Sequence, residues 1–437
     1  MEKGTLKSLL PLVVFLGLLA VWLWGLPRSL TWSHNAADGG DWAAAALRSS
    51  LPHPPGAPLY HLLTRLLVRL PLEPARALSG VSAFMAALSA ALLAAAFLPQ
   101  SPALALGAGL LLAAAPAFAS QAVIVEVYTT AACFMAWLVY LTRRAAPAWL
   151  VGLVWGLGLG VHLTLAAAGF WLMMTMDSRR ARGVLLGVAG LVAGLQYAWL
   201  VPFLGRGAPS PWVDLRSLQG WWAYVSAELY HGYVFSLPWN AWPQRLLAGL
   251  AWWVRQVTPL GALVMVHAWR YPLTRTEKGA WISLGLISLY AWGYNVPDAW
   301  THLVAYLPLA VGLVATGWSS IGTPWRRWER ELWLLIPALA WILSVPPLLL
   351  RGADEAARWA EDTLQSAPPA AVLCPCADGT TFALWYAQAR GLRPDVLVVD
   401  VDLLAYGPYQ SYLSRQGFSA SALRRCQPVS LPPPSGE

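Results

Sequence analysis

Charge is scarce in this 437-residue chain: Asp, Glu, Lys and Arg together make up 11% of it, where a soluble domain carries roughly a quarter. Hydrophobic residues make up 58% and the mean hydropathy is +0.52, which excludes an ordinary soluble protein. Cysteine is scarce as well. Cys133, Cys374, Cys376 and Cys426 are too few and too scattered for a disulfide framework, although a bridge from Cys426 to Cys374 or Cys376 is open in an oxidising compartment. There is no His-x-x-x-His pair, and Cys374-x-Cys376 with Cys426 lacks the usual ligand spacing, so no metal ligand is assigned and no divalent ion is expected. No glycine-rich phosphate loop follows a candidate strand, which excludes a complete nucleotide-binding domain. The net charge of +8 is carried in short basic clusters between apolar runs and not along one face, so no nucleic-acid partner is expected.

What remains is apolar sequence from Leu6 to Leu350, read as one membrane unit over residues 1–350, followed by a tail over 351–437. A bilayer core needs about 20 apolar residues per helix. By that ruler about eleven spans are expected: Leu6–Leu26, Leu78–Leu98, Ala103–Ser120, Ala122–Leu141, Trp149–Val161, Leu163–Met176, Val184–Leu204, Leu246–Trp269, Ala280–Tyr294, His302–Trp318 and Leu332–Leu350. The first has the length of an anchor and no small-x-small cleavage site before Pro27. Short basic loops stay in the cytoplasm. Lys3 with Lys7, Arg143 with Arg144, Arg179 to Arg182, Arg270 to Lys278 and Arg326 to Arg330 fall on one side if the count holds. An integral protein of the cytoplasmic (inner) membrane is expected, with the N-terminus inside and the tail outside.

Three stretches then face outward: 27–76, about 205–245, and the tail. In the first, the amphipathic run Leu59 to Leu70 is expected to lie along the interface. The second is crowded with Trp221, Trp222, Tyr224, Tyr230, Tyr233, Trp239 and Trp242, which reads as an interfacial aromatic belt or as a platform for a sugar or a polyprenyl chain. In the tail, Ala371–Leu373 and Val396–Val399 read as strands and Thr381–Arg390 and Leu403–Gln416 as helices, a small α/β unit.

Chemistry concentrates in the first outer stretch, at Asp38-Gly39-Gly40-Asp41-Trp42 and His53-Pro54-Pro55-Gly56-Ala57-Pro58-Leu59-Tyr60. A helix starting near Asp41 would put both carboxylates at its N-terminal end, where they cap free N–H groups. Alternatively, a carboxylate here acts as general base on an acceptor hydroxyl, with a recess for a leaving phosphate and cations to hold it. Arg28, Arg48, Arg65 and Arg69 lie close by on the wrong side for topology signals, which favours a phosphate role. The proline-rich turn suits His53 to rigid presentation. Ionisable residues within spans are costly, so Glu126 with Tyr128 and His162 are candidates for lining a cavity, although Glu126 also fits a helix cap. Asn295 and Asp298, with His302 one turn later, break a junction between spans and read as a turn or as part of the same cavity.

These residues resemble the opening of the protein O-mannosyltransferase-like family of the GT-C glycosyltransferase superfamily. The matching blocks are Asp38 to Asp41, His53 to Tyr60, Glu126-Val127-Tyr128, the glycine-rich stretch ending at His162, Asn295 to Asp298, Tyr306-Leu307-Pro308 and Arg393 to Val396. The resemblance implies a polytopic α-helical GT-C-like membrane protein with a small C-terminal α/β tail. It also implies a polyprenyl-phosphate-linked sugar donor and inverting transfer at the outer face to a protein or glycan acceptor, with mannose as the family's sugar. The catalytic acids implied are Asp38 and Asp41, the latter an Asp where the family more often has Glu. His53, Tyr60, Arg48, Arg65, Glu126, Tyr128, His162 and Asp298 are the expected substrate-binding residues. No tetratricopeptide repeats are present in the tail, so no separate acceptor-binding module is expected. The competing classes are a lipid or sugar transporter, for which paired repeats and a midplane charge are missing, and a non-catalytic glycolipid-binding protein.

Overall fold

The computed structural model describes residues 7–270, 272–320, 332–417 and 426–429. Three of the described helices are long and apolar enough to cross a bilayer: Pro74–Phe97, Arg179–Leu204 and Ala299–Ser320. Shorter apolar helices, Leu10–Trp24, Pro102–Ala114, Ala148–Leu159, Leu163–Thr175, Pro259–Ala268 and Leu335–Leu348, fall where other spans are expected. Proline explains much of the shortening, because it lacks an N–H and cannot continue a preceding helix. The segment expected as Ala103–Ser120 breaks into Pro102–Ala114 and Pro116–Gln121, and Leu246–Trp269 breaks into Trp242–Val257 and Pro259–Ala268. The helix expected from Ala122 starts only at Tyr128, which leaves residues 122–127 without regular helix. Lys3, Arg326, Arg327 and Arg330, part of the expected basic pattern, lie outside the described residues.

Residues 27–76, expected to face outward and termed the first outer stretch for that expectation, hold two short helices, Gly39–Arg48 and Pro58–Leu67, joined by a turn with a cis Pro54–Pro55 bond. Gly56 is required in that turn. Its φ is 82°, and a Cβ there would stand 2.1 Å from the Tyr224 hydroxyl, which donates to the Pro52 carbonyl at 2.8 Å.

The tail holds the expected two strands and two helices and adds a helix, Glu355–Ser366, and a third strand. Strands β1 (Val372–Pro375), β2 (Leu397–Val398) and β3 (Cys426–Val429) form a parallel sheet in the order β2-β1-β3 among the described residues. The Arg393–Asp395 motif is a clasp for this unit. Arg393 pairs with Asp395 at 2.8 and 2.9 Å and donates to the carbonyls of Leu364 and Ala367, each at 2.8 Å, tying the end of the Glu355–Ser366 helix to the sheet. Cys374 is disulfide-bonded, whereas Cys376 is free and exposed; the side chain of Cys426 lies outside the described residues.

The tail is docked on the first outer stretch. Trp32 donates from its backbone to Glu355 at 3.0 Å and from its indole to the Gly379 carbonyl at 3.0 Å. Tyr386 donates to Glu73, and Arg48 to the Trp385 carbonyl at 3.1 Å. The closest approach is at Gly40, where a Cβ would lie 2.5 Å from the Phe382 carbonyl oxygen. Glycine in the Asp-Gly-Gly-Asp motif is what lets the tail helix Asp378–Ala389 press against the Gly39–Arg48 helix.

Candidate active site

Between the first outer stretch, the helix ends and the tail lies a cavity of about 880 Å³. Asp38 enters it from the N-cap position of the Gly39–Arg48 helix. An N-cap aspartate ordinarily accepts from the first free N–H groups of its helix. Asp38 makes no such bond, and 31% of its side chain is exposed. The capping reading therefore fails for this residue, and the carboxylate faces the cavity instead. Burial raises its pKa, His53 opposes the rise, and Asp298 and Asp41 add to it.

Asp41 has the opposite situation. It is 3% exposed and does not line the cavity. Its Oδ2 accepts the His53 backbone N–H at 2.7 Å and the ring Nδ1–H at 2.8 Å, and its Oδ1 accepts the Trp212 indole N–H at 2.9 Å. With three donors on it and no place on the cavity lining, Asp41 is held behind the wall, whereas the sequence reading groups it with Asp38 as a catalytic acid. Its work is to orient His53, whose Nε2 then stands 3.7 Å from Asp38. Burial lowers the His53 pKa, but Asp38 and Asp41 outweigh it and push it up to about 9, so the ring is an imidazolium at neutral pH.

Glu126, Tyr128, His162 and Asp298 join Asp38 and His53 on the wall. Glu126 sits in the irregular segment before the Tyr128–Arg143 helix, whose N-cap is Val127, so it is not the cap of that helix. A ladder of rings continues from these residues. His162 and His302 are 5.3 Å apart, Tyr128 is 5.6 Å from His162, Tyr290 and Tyr294 stand 5.5 and 5.4 Å from His302, and Tyr233 is 6.3 Å from Tyr294. The second outer stretch is thereby divided. Tyr230 and Tyr233 line the cavity and Tyr224 is buried, whereas Trp222 and Trp239 are 61% and 88% exposed, as an interfacial belt requires.

Arg48, Arg65 and Tyr60 are not brought to the cavity. Arg48 ends the ten-residue helix that Asp38 begins, about 15 Å away along the axis, and braces the tail. Arg65, in the last turn of its own helix, donates to the Leu204 carbonyl at 2.8 Å. Tyr60 is a core residue, 1% exposed, with its ring 5.0 Å from Trp42. Among the described residues no lysine or arginine lines the cavity, and the expectation that arginines would hold a phosphate there is corrected. The groups available to an anion include His53, the paired histidines, His231, tyrosine, serine and threonine hydroxyls and Asn295.

Among the lining residues that the sequence does not single out is an acid, Asp378, the first residue of the tail helix Asp378–Ala389. A signal for it existed. It follows the carboxyl end of a parallel strand, where ligands of open α/β sheets bind.

Residues 38–183 match the model of the protein O-mannosyl-transferase TMEM260 N-terminal domain, a range that contains Asp38, His53, Glu126, Tyr128 and His162. No curated protein matches the chain in sequence. Among solved structures, ArnT from Cupriavidus metallidurans bound to undecaprenyl phosphate is similar with a TM-score of 0.60 and 14% identity, over 98% of this chain and 90% of that one. The Archaeoglobus fulgidus oligosaccharyltransferase tethered with an acceptor peptide is similar with a TM-score of 0.52 and 11% identity, over 91% of this chain and 64% of that one. At such identities the likeness is one of fold, and the helical fold resembles that of ArnT and the oligosaccharyltransferase.

Proposed function

We propose that this protein is an inverting membrane glycosyltransferase that moves a sugar from a polyprenyl-phosphate donor to a hydroxyl of an extracytoplasmic acceptor. The observation that carries the reading is the uncapped Asp38 carboxylate facing a large cavity, 3.7 Å from the His53 ring held by Asp41. In the reaction, Asp38 takes the acceptor O–H proton while the oxygen bonds to the anomeric carbon. The bond from that carbon to the phosphate oxygen breaks on the opposite face, and the polyprenyl phosphate leaves with the electron pair. His53 and the His162–His302 pair provide polar groups for the charge that develops on the leaving phosphate, the part assigned from sequence to arginines. The low polarity of the surroundings strengthens each of these interactions.

Several features support this reading. The domain match names an O-mannosyltransferase, which favours mannose and a protein hydroxyl. One structural relative is described with undecaprenyl phosphate and another with an acceptor peptide, which favours a lipid-linked donor and a polypeptide acceptor. The same reading divides the chain into a membrane unit over 1–350, with its catalytic stretch at 27–76, and an extracytoplasmic tail over 351–437. It takes about eleven spans in the inner membrane, with the N-terminus inside.

The deciding experiment is a transfer assay with protein reconstituted in lipid, a panel of radiolabelled polyprenyl-phosphate sugars and cell-envelope extract as acceptor source. Wild type should label an acceptor, and Asp38→Asn should lose about a hundredfold or more of that rate while still binding undecaprenyl phosphate. Absence of transfer from every donor by folded, lipid-binding protein would overturn the reading in favour of transport or simple glycolipid binding.

A further inference from the structure

The cavity has two kinds of wall. One is the ring ladder of His162, His302, Tyr290 and Tyr294, carried by apolar helices, and under the proposed topology it faces the membrane. The other is completed by Asp378, the one lining residue among the described residues of the tail, and under the proposed topology it faces water. A lipid-linked donor keeps its chain in the bilayer and its phosphate at headgroup level, so it enters along the first wall. The acceptor, which has no such anchor to satisfy, is left the second.

We infer that Asp378 is an acceptor-binding residue: from the tail, its carboxylate accepts a hydrogen bond from a hydroxyl or N–H of the acceptor and so presents the nucleophilic hydroxyl to Asp38. This rests on the proposed transfer reaction and assigns the tail a part in it. Several observations support the assignment. Asp378 is open to the cavity, and no hydrogen bond from another described residue reaches its carboxylate. An acid in the first turn of a helix is stabilised by the helix dipole, but that alone would be satisfied in any orientation and does not explain placement in the same cavity as Asp38. The placement is enforced by docking on both sides of it. The next residue, Gly379, offers its carbonyl to the Trp32 indole at 3.0 Å, and four residues on, the Phe382 backbone meets Gly40 so closely that no Cβ fits. Asp38 and Asp378 are thus fixed on opposite sides of one contact between the first outer stretch and the tail.

The charges around Asp378 suit the role. Burial and then Asp38 and Asp400 push its pKa up to about 7; His53 lowers it and Asp402 raises it further. A carboxylate of this basicity accepts a strong hydrogen bond from a neutral donor while remaining substantially ionised above neutrality.

The test compares wild type, Asp378→Asn and Asp38→Asn in the reconstituted assay, with serial dilutions of cell-envelope extract to give an apparent acceptor KM, and a thermal shift with undecaprenyl phosphate for the donor site. Asp378→Asn should raise the apparent acceptor KM about tenfold or more, with the lipid-induced shift unchanged. The wild-type acceptor KM should rise as pH falls through about 7, and that dependence should flatten in Asp378→Asn. An unchanged acceptor KM, or an equal loss of acceptor use and lipid shift, would overturn the assignment while leaving the transfer reaction standing. Failure of wild type to transfer any sugar would instead overturn the reaction on which it rests.

Discussion

Asp41 and His53 are joined twice, through the backbone N–H of His53 at 2.7 Å and its ring Nδ1–H at 2.8 Å, both donated to the same carboxylate oxygen. Two hydrogen bonds to one oxygen fix both the loop and the ring. It follows that the motif's second acid acts through the histidine. Asp41→Asn should cost about 1–3 kcal/mol of stability, because a buried amide cannot replace a carboxylate before three donors. It should also lower kcat with little change in donor KM. Thermal unfolding in detergent and transfer kinetics check both, and a variant of wild-type kcat would remove Asp41 from the machinery altogether.

The ionisation of His53 makes a separate forecast. Its pKa in the fold is about 9 against 6.5 for the free side chain, so the native state holds the proton more tightly than the unfolded chain. The resulting stabilisation is complete below about pH 6.5 and disappears as pH rises through 9. The gap in melting temperature between wild type and His53→Gln should therefore be wide at pH 6.5 and shrink by pH 10. A gap that does not vary with pH would contradict the ion pair.

Gly40 offers a test of docking. Its missing Cβ would sit 2.5 Å from a backbone oxygen, which cannot swing aside as a side chain could. Gly40→Ala should destabilise the protein by about 1–3 kcal/mol and make the tail more sensitive to limited proteolysis. Gly17→Ala, where nothing lies within 4 Å, is the matched control and should behave as wild type. Equal protease resistance of the two variants would argue against the tight contact.

The histidine pair predicts where lipid phosphate binds. His162→Ala and His302→Ala should each weaken undecaprenyl phosphate binding about tenfold, while Arg48→Ala and Arg65→Ala, which lie off the cavity, should leave it near wild type. Titration of purified variants by intrinsic tryptophan fluorescence measures this. Arginine variants that lose affinity more than the histidine variants would return the phosphate to the arginines.

Orientation is accessible through a thiol. Cys376 is free and exposed, and Cys133 is free but buried. An impermeant maleimide applied to right-side-out spheroplasts should label Cys376, and Cys376→Ser should abolish that signal. Labelling only after the membrane is opened would place the tail inside and reverse the topology.

Much of this site was legible in the chain. Asp38, His53, Glu126, Tyr128, His162 and Asp298 were all selected from the sequence and all line one cavity. Glu126 and His162 stand out because ionisable groups within spans are costly, Asp38 and His53 because they belong to dense motifs in a loop, and Asp298 because it breaks a junction between spans. The arginines misled for a related reason: sequence proximity to Asp38 was read as spatial proximity, and a ten-residue helix carries Arg48 about 15 Å from the residue that begins it.

Composition and patterning by themselves determined that lipid is the solvent for most of the chain, that a small α/β unit follows, and that titratable motifs gather in residues 38–60. Those properties are local, set by the apolarity of short windows and by the period of their side chains. Tertiary structure alone decided which of the two motif acids is free and which is consumed, since Trp212 reaches Asp41 from 171 positions away. It also decided that a tail residue, 340 positions from Asp38 by their numbers, completes the cavity. Contacts at such separations depend on how helices stack and on where a missing Cβ allows two backbones to meet, and no window of sequence contains both partners.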